Sequence, residues 1–353
     1  MSRRGKTAGG LLVLQPAFLG DVVLSTALLE AWHAARPEDP VSVVVRTEAA
    51  GLLKDHPWLD EVHTWNRQGW RKYPRLWGLS TACRAVEPSR VVNLHRFGSM
   101  AWLAARVGAP ESTVFEGTPG DGKRGVSAFP HAIGDGRHET ERNHAHIADV
   151  VGPMAASAAP RLYPTAAHEA AAAQWPEKAV ILAPGSVWPT KRWPSERWSA
   201  LADAVAQRWP EHPIVLLGGP GEADLFGDIV RRCEVARPLS CAGELDLLAA
   251  AALMARSKAV VSNDSAPLHM AGAMRCPVVG VFCSTTPSFG FGVLPEALQK
   301  GWGVNVEVSP DALSCKPCGV HGLKQCPERH FRCGIDLAVG QVMQALAQVS
   351  SLP

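Results

Sequence analysis

Leu11-Leu-Val-Leu-Gln-Pro-Ala-Phe-Leu-Gly20-Asp21-Val-Val-Leu24 is a short apolar run, a turn containing Gly20, and the opening of an amphipathic stretch that continues to Ala35. Four apolar residues without alternation read as a strand buried on both faces. A helix after such a strand begins a β-α-β unit. The pattern recurs at Val41–Val45 and Val91–Leu94 in the first half, and at Val180–Ala183, Ile214–Leu217, Ala259–Val261 and Val278–Phe282 in the second. Helical stretches follow at Ala101–Val107, Ser195–Arg208, Leu245–Ala255 and Pro267–Met274. The fold class is therefore α/β, with two Rossmann-like doubly wound domains facing an inter-domain cleft. Ligands are expected at the carboxyl ends of the strands. The Pro- and Ala-rich segment Pro153–Gln174 is the expected linker. Domains are expected at 1–165 and 166–334, and a closing helix within 335–353 is expected to pack back toward the first domain.

The 353 residues are 46% hydrophobic, enough for two cores, and the net charge of +2 leaves the whole-molecule field weak. Nucleic-acid binding is not implied, and a monomer is expected. No segment reads as a secretory signal or a spanning helix. A cytoplasmic protein is expected, with peripheral contact at the inner membrane face as an extension of that reading. Local charge is uneven. Between Val62 and Pro110 stand Arg67, Arg71, Lys72, Arg75, Arg84, Arg90, Arg96 and Arg106 against one acid, Glu87, with Trp65, Trp70, Trp77 and Trp102 interleaved. This is either an ordinary solvated surface or a patch that receives phosphate or carboxylate groups, for which Arg67, Arg71, Lys72 and Arg96 are the candidates.

Five constellations could carry chemistry. Asp21, in the first strand-to-helix turn, is either a helix cap or a general base at a cleft mouth. The loop Pro184-Gly-Ser186-Val-Trp-Pro-Thr190-Lys191-Arg192 offers a cation and hydroxyls to a diphosphate, or is a Pro-rich turn. Gly218-Gly-Pro-Gly-Glu222 ends a strand in a glycine turn, where Glu222 is a ribose acceptor or a solvated acid. Asp264-Ser265-Ala266-Pro267-Leu-His269 joins a strand to a helix N-terminus, a ready phosphate site, with His269 beside it or buried as structure. Finally, Cys315, Cys318, Cys326 and Cys333 are read either as ligands of one structural zinc or as reduced thiols.

Taken together, Leu19-Gly-Asp21-Val, Thr190-Lys-Arg-Trp-Pro194, Ser262-Asn-Asp264-Ser265 with His269, and the Cys-rich tail resemble glycosyltransferase family 9, the lipopolysaccharide heptosyltransferases. The resemblance implies a GT-B architecture and inversion at the anomeric carbon without a catalytic metal or other cofactor. It implies a nucleotide-sugar donor, ADP-heptose, and an anionic glycolipid acceptor of the lipopolysaccharide inner core, Kdo-lipid A or heptosyl-Kdo-lipid A. By that analogy Asp21 is the base. Lys191 and the Ser265–Ala266 turn hold the donor diphosphate, and Glu222 and Asp264 help place the nucleoside or sugar; Ser186, Thr190 and His269 are counted with the donor site from their own motifs. One departure is Ala266, where the family pattern usually has glycine; its methyl narrows the room for backbone to approach phosphate. Two other readings are a nucleotide-sugar epimerase on the same scaffold and a non-catalytic nucleotide-sugar-binding protein.

Overall fold

The computed structural model describes residues 9–66, 68–70, 72–153 and 159–350. The chain divides into two compact units, Met1–Ala132 with Glu139–Tyr163, and Ile133–His138 with Pro164–Pro353.

In the first unit β1 (Leu11–Gln15), β2 (Val41–Arg46), β3 (Glu61–Trp65), β4 (Arg90–Asn93), β5 (Glu111–Phe115) and β6 (Val126–Phe129) form one parallel sheet in the order β3-β2-β1-β4-β5-β6. In the second, β7 (Val180–Ala183), β8 (Ile214–Gly218), β9 (Leu239–Ala242), β10 (Ala259–Asn263), β11 (Val278–Phe282) and β12 (Gly303–Glu307) form a parallel sheet in the order β12-β11-β10-β7-β8-β9. The two orders are the same winding, and both reverse between a central pair, β1/β4 and β7/β10. Loops leaving such a pair run to opposite sides and open a crevice at the carboxyl ends.

The central strands explain the placement. Every residue of β1, β7, β10 and β11 is buried, as strands covered by helices on both faces require. Helix α1 (Leu19–Ala35) buries Val22–Leu29 and Trp32. Helix α2 (Lys72–Ala85) begins with Pro74 in its first turn, where a missing N–H costs nothing, and turns Leu76, Leu79 and Cys83 inward. Helix α3 (Gly98–Val107) stops at Gly108, whose φ of 71° is the left-handed conformation glycine adopts without penalty.

The closing helix Val339–Ser350 packs on the sheet of the second unit. Val342, Ala345, Leu346 and Val349 are in the second unit's own core with Val180, Trp193 and Val279. Its apolar face is thus satisfied by the sheet it follows.

Candidate functional site

In the second unit three loops meet at the carboxyl edge of the sheet. The loop after β7 carries Lys191, the turn after β10 carries Asp264, and the hydroxyl run after β11 carries Thr285. Lys191 Nζ lies 2.6 Å from Asp264 Oδ2, and Thr285 Oγ1 donates to the same oxygen at 2.6 Å. Asp264 is 6% exposed, so its charge is held by a cation and a hydroxyl in place of water. Asn263 fixes the loops to one another, accepting from the Trp193 N–H at 3.1 Å and donating to Pro184 O at 2.6 Å. The result spans the reversal point of the sheet and holds a lysine at its mouth.

Thr190 is placed differently from its expected role. Its hydroxyl oxygen accepts from Ser284 Oγ at 3.0 Å and from the Leu323 N–H at 2.8 Å. The buried hydroxyl braces the loop that presents Lys191. Ser186 is also buried, and its carbonyl is held by Arg192 Nε at 2.8 Å. Ser265 stands at the N-terminus of the helix Ala266–Ala273, its hydroxyl donating to Asn263 O at 3.3 Å. Ala266 and Pro267 open that helix, and its positive end favours an anion beside the lysine.

Glu222 sits just past β8, accepting the Gly219 N–H at 2.9 Å. Burial raises its pKa, against the opposing pull of the Gly219 N–H and of Arg192. Its carboxylate lies against bare backbone. A Cβ on Gly185 would stand 1.5 Å from Oε1, and one on Gly218 would stand 2.0 Å from Oε2. Two glycines on adjacent strand ends therefore make room for one acid, which suits an acceptor for paired ribose hydroxyls.

His269 is buried behind Asp264, and its pKa falls to about 3, chiefly through desolvation; Asp264 opposes this, while His138 and Lys191 add to it. It is a neutral ring at physiological pH. His138 and Thr285 are site residues that the sequence did not single out. The run Cys283-Ser-Thr285-Thr286 at a strand end was a signal for Thr285. His138, whose Nε2 lies 3.2 Å from Gly292 O, stands in an aperiodic segment with no such signal.

In the first unit Asp21 occupies the first turn of α1, at the carboxyl end of β1, and its Oδ2 accepts the Phe18 N–H at 3.1 Å. The capping role is thus realised, and the carboxylate also stands at the edge where a ligand is expected. The basic stretch divides. Arg90 is buried, binding Glu111 at 2.7 Å and Asp149 at 2.7 Å, and so leaves the surface charge count. Lys72 and Arg96 are exposed. Arg67 and Arg71 lie outside the described residues. A cavity of about 960 Å³ opens between α2, α3 and the loop after β4, with Lys72, Trp77, His95 and Trp102 in its walls.

The four tail cysteines lie near enough to influence one another's ionisation. Cys333 is buried in the core with its pKa pushed up to about 11 by desolvation, Cys318 Sγ points to Cys315 O at 3.4 Å, and Cys315 Sγ lies 3.8 Å from His330 Nε2. Among the described residues no group of three or more His, Cys, Asp or Glu side chains is arranged to hold a metal. Cys333 also belongs to the hydrophobic interior of the second unit.

Similarity to known proteins agrees with this geometry. The chain is 24% identical over 304 residues to lipopolysaccharide heptosyltransferase 3 of Escherichia coli (strain K12), covering 82% of this chain and 87% of the relative. The crystal structure of the family 9 glycosyltransferase from Veillonella parvula DSM 2008 superposes with a TM-score of 0.79 at 20% identity, over 97% of both chains. That of E. coli ADP-heptose lps heptosyltransferase II gives 0.75 at 20% identity, over 97% of this chain and 98% of the other. Residues 79–325, well over half the chain, match the family itself. With two parallel Rossmann-like sheets of GT-B type and a lysine-bearing site at the reversal point of the second, this chain belongs to glycosyltransferase family 9 (heptosyltransferase).

Proposed function

We propose that this glycosyltransferase inverts the anomeric centre as it moves heptose from ADP-heptose to an inner-core lipopolysaccharide acceptor, Kdo-lipid A or heptosyl-Kdo-lipid A. The observation that carries the reading is Lys191, held by the Asp264 carboxylate that Thr285 also bonds, beside the opening turn of the helix Ala266–Ala273. A lysine and a helix N-terminus side by side suit a nucleoside diphosphate. ADP-heptose is the donor in the name of the E. coli heptosyltransferase II of the same fold.

In this mechanism the acceptor hydroxyl passes its proton to Asp21 as its oxygen bonds to the anomeric carbon. The bond to the diphosphate breaks on the opposite face, and Lys191 with the Ser265–Ala266 turn takes up the charge that grows on the leaving group. The lysine does the electrostatic work, so this reading assigns no catalytic metal and no cofactor. Glu222 binds the ribose. Asp264 and Thr190 are positioning residues, one orienting Lys191 and the other bracing its loop, while His269 packs behind them as a neutral ring. Ser186 lines the same loop. Lys72 and Arg96 are the described candidates for the acidic acceptor. A membrane-anchored acceptor brings the enzyme to the inner membrane from the cytoplasmic side, as a monomer in this reading.

The test offers purified protein ADP-, UDP- and GDP-heptose with Kdo-lipid A, and reads transfer and the anomeric configuration of the product. Transfer from the ADP sugar with inversion is expected. Preference for UDP or GDP, or retention, overturns the donor or the mechanism, and isomerisation of the donor without transfer supports an epimerase.

A further inference from the structure

Around the acceptor candidates Lys72 and Arg96 the first unit carries an aromatic surface to which the transfer reaction assigns no role. Among the described residues six aromatic side chains are strongly exposed, and five of them, Trp70, Tyr73, Trp77, Phe97 and Trp102, lie on or beside α2 and α3. Exposed aromatics in such number are unusual on a soluble protein unless something covers them. The inner faces of the two helices are already satisfied, with Leu76, Leu79, Cys83, Met100 and Leu103 in the core against Trp65. Tyr73, Trp77, Phe97 and Trp102 rim the cavity between these helices, open to solvent above Trp65 and Leu76.

Cations are interleaved with the rings. The Arg106 guanidinium lies 3.7 Å from the centroid of Trp77 and 5.8 Å from that of Trp102, between two indoles 6.1 Å apart. Lys72 Nζ stands 4.9 Å from the Tyr73 ring. Arg75 and Arg84 are exposed on α2, and Glu87, beyond the end of that helix, is the one acid between residues 62 and 110. Tryptophan and tyrosine among lysines and arginines is the composition of a protein surface at the headgroup level of a bilayer. There the indole's apolar body enters the acyl boundary, its N–H stays wet, and the cations meet anionic headgroups.

We propose that the α2–α3 face docks the enzyme on an anionic lipid bilayer, with Trp77, Trp102 and Tyr73 entering the interface and Arg75 and Arg106 meeting the headgroups. Charge complementarity selects this occupant. A second copy of the chain joined face to face would set the same cations against each other. The proposal takes from the functional reading only that the acceptor is lipid-anchored, and its test needs neither donor nor acceptor.

The experiment is co-sedimentation of the full chain with vesicles of phosphatidylglycerol and phosphatidylethanolamine, compared with phosphatidylcholine alone, while tryptophan fluorescence is read in parallel. Binding to the anionic vesicles with a blue shift is expected. Trp77→Ser with Trp102→Ser lowers the affinity by roughly tenfold or more, and Arg75→Glu by roughly fivefold or more, the latter mimicked by salt. Trp70→Ser, at a position 79% exposed, keeps the test open if the double variant misfolds. Equal binding to both vesicle types, variants that bind like the wild type, or preference for a single-stranded oligonucleotide over anionic vesicles overturns the proposal. Vesicle binding without heptosyl transfer overturns the functional reading alone, and transfer without vesicle binding overturns this one alone.

Discussion

Two carboxylates decide what single residues do here. Asp21 caps α1 through one oxygen, and asparagine keeps an oxygen for that hydrogen bond while losing the ability to take a proton. Asp21→Asn is therefore expected to melt at the wild-type temperature, to bind donor normally, and to transfer sugar roughly a hundredfold or more slowly in single turnover. A near-normal rate in the folded variant removes Asp21 from the chemistry. Asp264 poses the reverse case, because its charge is buried against Lys191. Lys191→Ala strands that charge, at a cost of about 3 kcal/mol in urea unfolding, and weakens donor binding in calorimetry. Adding Asp264→Ala should restore the stability but not the donor affinity. If the double variant regains donor affinity, the lysine serves the fold and not the ligand.

The helices and strands divide by how visible they were. The central strands β1, β2, β4, β7, β8, β10 and β11 are apolar runs and were legible as such. Four that were not, β3, β6, β9 and β12, are sheet edges, and β5 lies next to one. Glu61-Val-His-Thr-Trp65 and Leu239-Ser-Cys-Ala242 face solvent on part of their length, so burial never forced an apolar run on them. Helix α2 was hidden by Pro74 and Gly78, which punctuate its period. The loops that carry Lys191 and Asp264 were legible because each follows a central strand, but the structural duty of Thr190 was not, since its partners Ser284 and Leu323 are remote in sequence. The closing helix, which packs in the second unit's core, was legible as a helix, though an apolar stripe says nothing of which surfaces it meets. Leu346 is fully buried in that contact, and Leu346→Ala is expected to cost about 2–5 kcal/mol in urea unfolding. A loss within experimental error would mean that the helix is not part of the second unit's core.

For the molecule as a whole, buried imidazoles set the response to acid. His56 is held at about 4, and His146 and His269 at about 3, in each case chiefly by desolvation. Their folded pKa values lie below the ordinary 6.5, so below that pH the unfolded chain binds more protons than the native one. The stability these neutral rings contribute is complete above about pH 6.5 and is lost as pH falls toward 4, by up to about 1.4 kcal/mol per histidine and pH unit. Glu30 and Glu222, raised by burial above the ordinary 4.5, act in the opposite sense. Three rings outweigh two carboxyls, so the urea midpoint near pH 5 is expected to fall below that near neutrality. A midpoint that stays level or rises contradicts the burial of the rings. The division of the chain has a consequence for engineering. Ile133–His138 belongs to the second unit although both its neighbours in sequence belong to the first, and His138 stands electrostatically near His269. A chimera that exchanges second units between relatives at a single crossover after Tyr163 would graft a foreign hexapeptide against the transplanted Lys191–Asp264 site. A faithful exchange needs three breakpoints, so homologous recombination at one junction yields mismatched hybrids.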